Sequence, residues 1–368
     1  MKIAMFGHKS IPSRTGGVEI VVEELSARMA ALGHEVTCYN RRPAASQKSY
    51  RGIRLKTVPT IRMKGLAAVS SSFFAAVHAA FSRADVCHIH AEGPAFMSFL
   101  PKICGKRVVV TIHGLDWQRE KWNSGFAACY IRWGEKMAVR FAHEIIVLNR
   151  DLQQYFLQTY GRETRLIPNG VVKPIPMPPK QIRDRFSLGS GDYLLYLGRL
   201  VPEKGIHELI EAFAGVRTQK KLVIAGASSD TDAYVQSLKA MAAADRRILL
   251  VGFAEGQLLA EFFSNAYLYV LPSHLEGMPL SLLEAMSYGN CCLVSDIPAC
   301  RDVVEDRGIT FPTGNVQVLR ETLQRLCDEE TFVQSYGSGA AEFVCGKYDW
   351  DQITRETLEL YHENTVGP

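Results

Sequence analysis

Short apolar runs and amphipathic stretches alternate along the whole chain. Ile3–Gly7 is a run of the kind buried on both faces of a sheet. Gly17–Leu32 carries helical periodicity and is ended by Gly33. Val36–Tyr39 and Ile53–Val58 read as strands, 66–82 as a helix, Val86–His90 as a strand, 94–103 as a helix and Arg107–Ile112 as a strand. A loop from His113 to Ser124 leads to a helix ending near Ala142, and strands at Ile145–Leu148 and Ile167–Val171 close the first half. After the proline-rich stretch Pro174–Pro179 the alternation restarts. Strands are predicted at Tyr193–Leu197, Leu222–Ala225, Ile248–Val251, Leu268–Leu271, Cys291–Val294 and Ile309–Phe311, with helices at Gly205–Val216 and 279–288 and helical sequence running to about residue 364. Such repeats predict two α/β, doubly wound domains of parallel strands facing across a cleft, about 1–173 and 174–347. Ligands bind such sheets at the carboxyl ends of strands. The loops Gly7–Gly17, His113–Ser124, Gly198–Gly205 and Ser273–Met278 are therefore the places to look.

Composition adds little to the fold but narrows the setting. With 368 residues, 47% hydrophobic and 22% charged, two ordinary cores can be filled. The nine cysteines are scattered without a paired framework, which points to a reducing, cytoplasmic setting. The first apolar run is too short for a secretory signal. The uncharged stretch from Gly65 to Ser82 is borderline for a membrane span, and Leu66, Val69, Phe73, Val77 and Phe81 mark it as an amphipathic helix instead. Between Val36 and Ala84 there is no acid, yet nine Lys or Arg fall there, in a chain whose net charge is only +4. That basic 36–84 segment suits an anionic membrane surface or a phosphorylated partner, and equally a plain solvated face. Nucleic acid is disfavoured because aromatics are not interleaved with the cations.

Four motifs fall on the indicated loops. In His274–Gly289, Pro279 suits a helix start, and Leu280, Ser281, Glu284 and Ser287 share one helical face while Leu283 and Met286 point to the core. Free amides at that start suit a phosphate. Glu284, one turn in, is placed to hold a vicinal diol, and Glu276 precedes the helix within reach of a second hydroxylated group. Arg199 and Lys204 bracket the turn after Leu197, and two cations beside helix-start amides make a diphosphate clamp. Gly16 and Gly17 in Thr15–Glu19 allow backbone to approach a ligand. His113 ends a buried strand and is followed by Asp116, Trp117, Arg119, Glu120 and Trp122, a polar and aromatic set suited to carbohydrate or a lipid-linked acceptor. Neither familiar nucleotide fingerprint is present. Asp230-Thr231-Asp232 reads as a helix cap rather than a metal site, and His88 with His90 lacks a further ligand set.

Glu276-x7-Glu284, Gly-Arg-Leu-x-x-Glu-Lys-Gly at 198–205 and Pro168-Asn169-Gly170-Val171 together resemble the retaining glycosyltransferases of family four, over nearly the whole chain. The resemblance implies the GT-B architecture of two Rossmann-like domains, a nucleotide-sugar donor, and no metal or other cofactor. It implies that the last helix, about 348–364, crosses back to the first domain. It assigns Arg199 and Lys204 to the donor diphosphate, Glu284 to the ribose and Glu276 to the donor sugar. Backbone amides of Met278, Pro279, Leu280 and Ser281 would face donor sugar and phosphate. Gly16 and Gly17 would close on the donor, and His113 would contact the transferred sugar. Ile11–Glu19 and His113–Trp122 are similar to a bacterial rhamnosyltransferase-like subgroup, from which Val18 and Asp116 depart. Glu19 or Asp116 could act as a base if the reaction inverts. The expected enzyme extends a glycan or polyprenyl-diphosphate-linked acceptor, in the cytoplasm or peripherally on the inner face of the membrane. Two rivals stand beside it: a nucleotide-sugar epimerase of the same fold, and a nucleotide-sugar-binding protein without turnover.

Overall fold

The computed structural model describes residues 1–42, 47–61, 63, 65–119, 125–228 and 232–362. Two compact units emerge: Met1–Asn169 together with Trp350–Pro368, and Gly170–Asp349.

In the first unit, β1 (Lys2–Phe6), β2 (Glu35–Arg41), β3 (Ser49–Tyr50), β4 (Ile53–Val58), β5 (Val86–His90), β6 (Arg107–Ile112), β7 (Glu144–Val147) and β8 (Arg165–Leu166) form one sheet. Their order is β3-β4-β2-β1-β5-β6-β7-β8. Every pairing is parallel except the β3–β4 edge. β5 is buried along its whole length, as a central parallel strand requires. Covering it are α1 (Gly17–Ala31), α2 (Leu66–Ala80), α3 (Glu92–Ala95), α4 (Phe99–Ile103), α5 (Gly125–Phe141) and α6 (Arg150–Tyr160). Phe6, Ile89, Val110, Ile145 and Phe156 belong to one core cluster. The strand order reverses between β1 and β5, so the loops after these strands diverge and leave a crevice at their carboxyl ends.

The second unit repeats the plan with β9 (Tyr193–Leu197), β10 (Lys221–Ala225), β11 (Ile248–Gly252), β12 (Leu268–Leu271), β13 (Cys292–Ser295) and β14 (Ile309–Phe311). The order β11-β10-β9-β12-β13-β14 is all parallel and reverses between β9 and β12. Its helices are α7 (Gln181–Phe186), α8 (Ile206–Ala214), α9 (Asp232–Ala242), α10 (Gly256–Asn265), α11 (Leu280–Ser287), α12 (Pro298–Val304), α13 (Val316–Asp328), α14 (Glu330–Gly337) and α15 (Ala340–Lys347). Both units are Rossmann-like. The final helix, α16 (Trp350–His362), belongs to the first unit. There Arg28 donates to Asp351 at 2.8 Å, Arg107 to the Leu360 carbonyl at 2.7 Å, and Tyr361 meets His88 at 2.6 Å.

The structure departs from the sequence reading in two places. The strand expected at Ile167–Val171 is two residues, Arg165–Leu166, and α6 precedes it. That helix is capped by Asn149, which accepts from the Leu152 amide, and is closed by left-handed Gly161. Pro279 caps α11 from outside rather than opening it, and Ser287 is buried, donating to the Glu284 carbonyl. The helix expected over 66–82 is present as α2, and the structure sets the orientation that periodicity left open. Most of its apolar stripe faces outward, with Leu66, Phe73 and Phe81 exposed, while Ser71, Ser72, Ala75, Ala76, Ala79 and Ala80 are buried. Small side chains let the helix lie close on the sheet. Ser71 and Ser72 donate to the Ala68 carbonyl at 3.1 and 2.7 Å, so their burial leaves no hydroxyl unpaired. Among the described residues no helix is long and apolar enough to cross a membrane.

Candidate active site

The second unit builds its candidate site where its strand order reverses. β9 and β12 are neighbours, so the loops that leave their carboxyl ends, Gly198–Gly205 and Pro272–Pro279, are brought side by side. Lys204 Nζ donates to Glu276 Oε1 in a close ion pair, with side chains only 12% and 9% exposed. Ser273 donates to the same oxygen at 2.7 Å. The His274 amide donates to the Glu203 carbonyl at 2.9 Å, which laces the two loops together. The family resemblance implies separate partners for Lys204 and Glu276; the structure joins them to each other.

Around that pair, Arg199 is half-buried and its carbonyl accepts from buried Tyr196 at 3.0 Å. Tyr269 donates to Ser281 Oγ at 2.8 Å and fixes that hydroxyl at the start of α11. Glu284 lies half-buried one turn further on, and no side chain caps the helix. Met278 and Pro279 are buried and Leu280 half-buried. Pro279 has no amide hydrogen, so the amides this segment can offer are those of Met278, Leu280 and Ser281. Ser273, Tyr196 and Tyr269 escaped the sequence reading. Ser273, three residues before Glu276, was the one with a visible signal, because a hydroxyl at that spacing commonly braces a loop acid.

Gly205 carries the turn between the clamp and α8. Its φ is +63°, and an added Cβ would sit 2.2 Å from the Pro272 carbonyl oxygen. Gly205→Ala is therefore expected to cost about 2 kcal/mol or more of stability, through left-handed strain and a backbone clash together. Denaturant unfolding measures this, and a midpoint equal to wild type would contradict it.

In the first unit, the loop after β1 returns to α1 through Gly16, whose backbone is extended. Glu19 is buried and accepts from the Lys9 amide at 2.8 Å. A Cβ on Gly16 would meet Glu19 Oε2 at 2.1 Å, so the glycine makes room for the acid. Gly17 begins the helix itself.

His113 follows β6 and its Nε2 lies 3.0 Å from His90 Nδ1. His90 stacks on His88 at 4.2 Å, and His88 bonds Thr111 and Tyr361. Burial lowers all three imidazoles, His88 and His113 to about 3, so each ring is neutral at ordinary pH. The Asp116 amide donates to Glu92 Oε2 at 2.6 Å, and the Asp116 carboxylate pairs with Arg119 at 3.1 Å. Arg132 lies 4.2 Å over the Trp117 ring. Glu120 and Trp122 lie outside the described residues, as do Asp230 and Thr231; Asp232 opens α9 and accepts from Ser228 at 2.9 Å.

Comparison with known proteins agrees with this architecture. Residues 15–172 match the family model "Glycosyltransferase Family 4", and residues 180–343 match "Glycosyl transferases group 1". The chain is 26% identical to alpha-maltose-1-phosphate synthase of Mycobacterium tuberculosis, over 99% of each chain. In fold it is similar to the sucrose-phosphate synthase of Thermosynechococcus elongatus, with a TM-score of 0.82, 20% identity and 98% of each chain covered. It is similar also to Anabaena HepE, crystallised in complex with UDP-glucose, with a TM-score of 0.80, 19% identity and 98% of each chain covered. These matches define a glycosyltransferase. The chain belongs to the family 4 and group 1 glycosyltransferases, with the pair of Rossmann-like domains of the GT-B class.

Proposed function

We propose that the protein moves a hexose or deoxyhexose, rhamnose among the candidates, from a nucleotide-diphosphate sugar to a glycan or polyprenyl-diphosphate-linked acceptor in bacterial surface polysaccharide synthesis, with retention. The observation that carries the reading is the Lys204–Glu276 pair, set beside the start of α11 at the strand-order reversal. A cation held against an acid is a clamp in its resting state. The donor diphosphate takes Lys204, with Arg199 beside it, and Glu276 is released toward the hydroxyls of the donor sugar. Glu284 holds the ribose hydroxyls, and the amides of Met278, Leu280 and Ser281 face sugar and phosphate. Gly16 and Gly17 approach the phosphates, and His113 meets the transferred sugar as a neutral imidazole.

Charge builds on the departing diphosphate as the glycosidic bond breaks, and the two cations stabilise it there. The diphosphate then takes the acceptor proton, so no enzymic nucleophile is required. Glu19 is turned onto the Lys9 amide and Asp116 onto Arg119, which argues against either as a base. The relatives named above are described as synthases or carry a bound nucleotide sugar, and the epimerase alternative finds no support among them. Slow hydrolysis of donor by the purified protein would exclude the binding-only alternative, because a pure binder lacks it.

Thermal melting with a panel of UDP-, GDP- and dTDP-sugars, free nucleotides and EDTA tests the reading. One donor is expected to raise the midpoint selectively, and EDTA is expected to leave the shift unchanged. Loss of the shift with EDTA, or no shift with any donor, would sink the proposed site.

A further inference from the structure

The outward face of α2 is apolar in a way that folding of the first unit does not use. Ile61, Met63, Leu66, Phe73, Phe74 and Phe81 are all exposed, from 39% at Phe74 to 82% at Phe81. They form one surface. Leu66, Phe73 and Phe81 recur on a single helical stripe, and the Phe73 and Phe74 rings lie 5.5 Å apart. The Ile61 amide donates to Ser70 Oγ at 3.0 Å, and the Met63 carbonyl accepts from the amides of Leu66 and Ala67, so both residues are seated at the start of the helix. Scattered apolar side chains need no explanation, but a contiguous aromatic stripe does.

The charge carried by this stretch of chain has one sign. Arg54 and Lys56 share a face of β4 by strand alternation, and Lys56 Nζ donates to His78 of α2 at 3.0 Å, which places that face beside the helix. Arg83 is exposed just past Phe81, and exposed Arg42 is tied by its amide to Thr60. No acid occurs from Val36 to Ala84. Arg51 is set aside because it pairs with Glu23 and Glu24. Arg62 and Lys64 lie outside the described residues.

We propose that this face docks the first unit peripherally on an anionic lipid bilayer. The aromatic side chains enter the boundary between headgroups and acyl chains, and Arg42, Arg54, Lys56 and Arg83 meet the headgroup phosphates. A helix with a large apolar face and basic flanks, too short to span, is the arrangement that lies in such an interface. A second copy of the chain fits less well, because pairing this face with itself would set basic residues against basic residues. The inference stands on the first unit alone and is independent of the donor reading.

Flotation of the full-length protein with phosphatidylcholine vesicles, with and without phosphatidylglycerol, tests it. Binding is expected only to the anionic vesicles and to weaken with salt. Phe73→Ser/Phe74→Ser/Phe81→Ser is expected to abolish it. Arg54→Gln/Lys56→Gln/Arg83→Gln is expected to weaken it by about fivefold per charge, on the order of a hundredfold together. These positions are at the surface, so circular dichroism and the donor-induced melting shift should match wild type. Absence of binding to anionic vesicles, equal binding to neutral ones, or a dimer in sedimentation that the phenylalanine variant dissolves would each overturn the proposal. A missing donor shift beside intact vesicle binding would instead count against the proposed function.

Discussion

Glu276→Gln is expected to bind free nucleoside diphosphate at least as tightly as the wild type while losing sugar transfer by about 10²–10³-fold. The two effects separate because, on the proposed function, the Glu276 carboxylate does two things. Without donor it is the counter-charge of Lys204, and both side chains are nearly enclosed. Diphosphate must compete with that carboxylate for the ammonium and must approach a like charge. A neutral amide removes both obstacles, so nucleotide affinity holds or rises. The amide cannot accept from sugar hydroxyls at both of its ends as a carboxylate can, so the grip on the transferred sugar is lost. Lys204→Met is the opposite case and is expected to lose nucleotide affinity and turnover together. It leaves Glu276 without its cation, although Ser273 still donates to it. Calorimetric titration with the nucleotide that the melting panel selects, beside steady-state rates, reads both quantities. If Glu276→Gln weakens free nucleotide as much as Lys204→Met does, Glu276 belongs to the nucleotide site and not to the sugar.

The alternation of strand and helix was legible because central parallel strands are apolar on both faces, as β5, β6 and β9 are. The loops proposed for the site were legible for the same reason: each follows such a strand. Contacts between loops were not. Lys204 and Glu276 are 72 residues apart, and only the adjacency of β9 and β12 brings them together. The support given by Tyr196 and Tyr269 was hidden because each reads as an ordinary strand residue. The existence of α2 was legible, and its orientation was not. Periodicity marks an apolar face, but it does not say whether that face meets the sheet or solvent; here the alanine and serine face fits more closely. α6 was signalled by Asn149 and Gly161, a cap at each end, and was missed because its apolar positions are few.

The second large effect concerns Glu92 and Glu135, acids that sequence reasoning passed over and the structure buries completely. Glu135 Oε2 accepts from Tyr155 at 3.0 Å and Tyr160 at 2.6 Å, while Glu92 Oε2 accepts from the Asp116 amide. The remaining oxygen of each acid is buried without a partner among the described residues. A proton on Glu92 donated to Glu135 satisfies both. Burial, then the charge of Asp116, then Glu135 hold the Glu92 carboxyl well above the usual carboxylate range. The folded chain therefore keeps a proton that the unfolded chain releases, and the stability this proton supplies is full at acid pH and is lost as pH rises toward the raised value. The loss approaches about 1.4 kcal/mol per pH unit in that window. Glu92→Gln is a permanently neutral replacement that can donate to Glu135 and accept from Asp116. It is expected to match wild type near pH 5 and to be the more stable protein as pH rises to 8. Glu135→Ala is expected to cost about 3–5 kcal/mol at any pH, because two tyrosine hydroxyls lose their acceptor and a cavity is left. Denaturant unfolding from pH 5 to 8 reads all three proteins. Parallel wild-type and Glu92→Gln curves would mean that Glu92 is ionised in the fold and that Asp116 is anchored by a charge rather than by a shared proton.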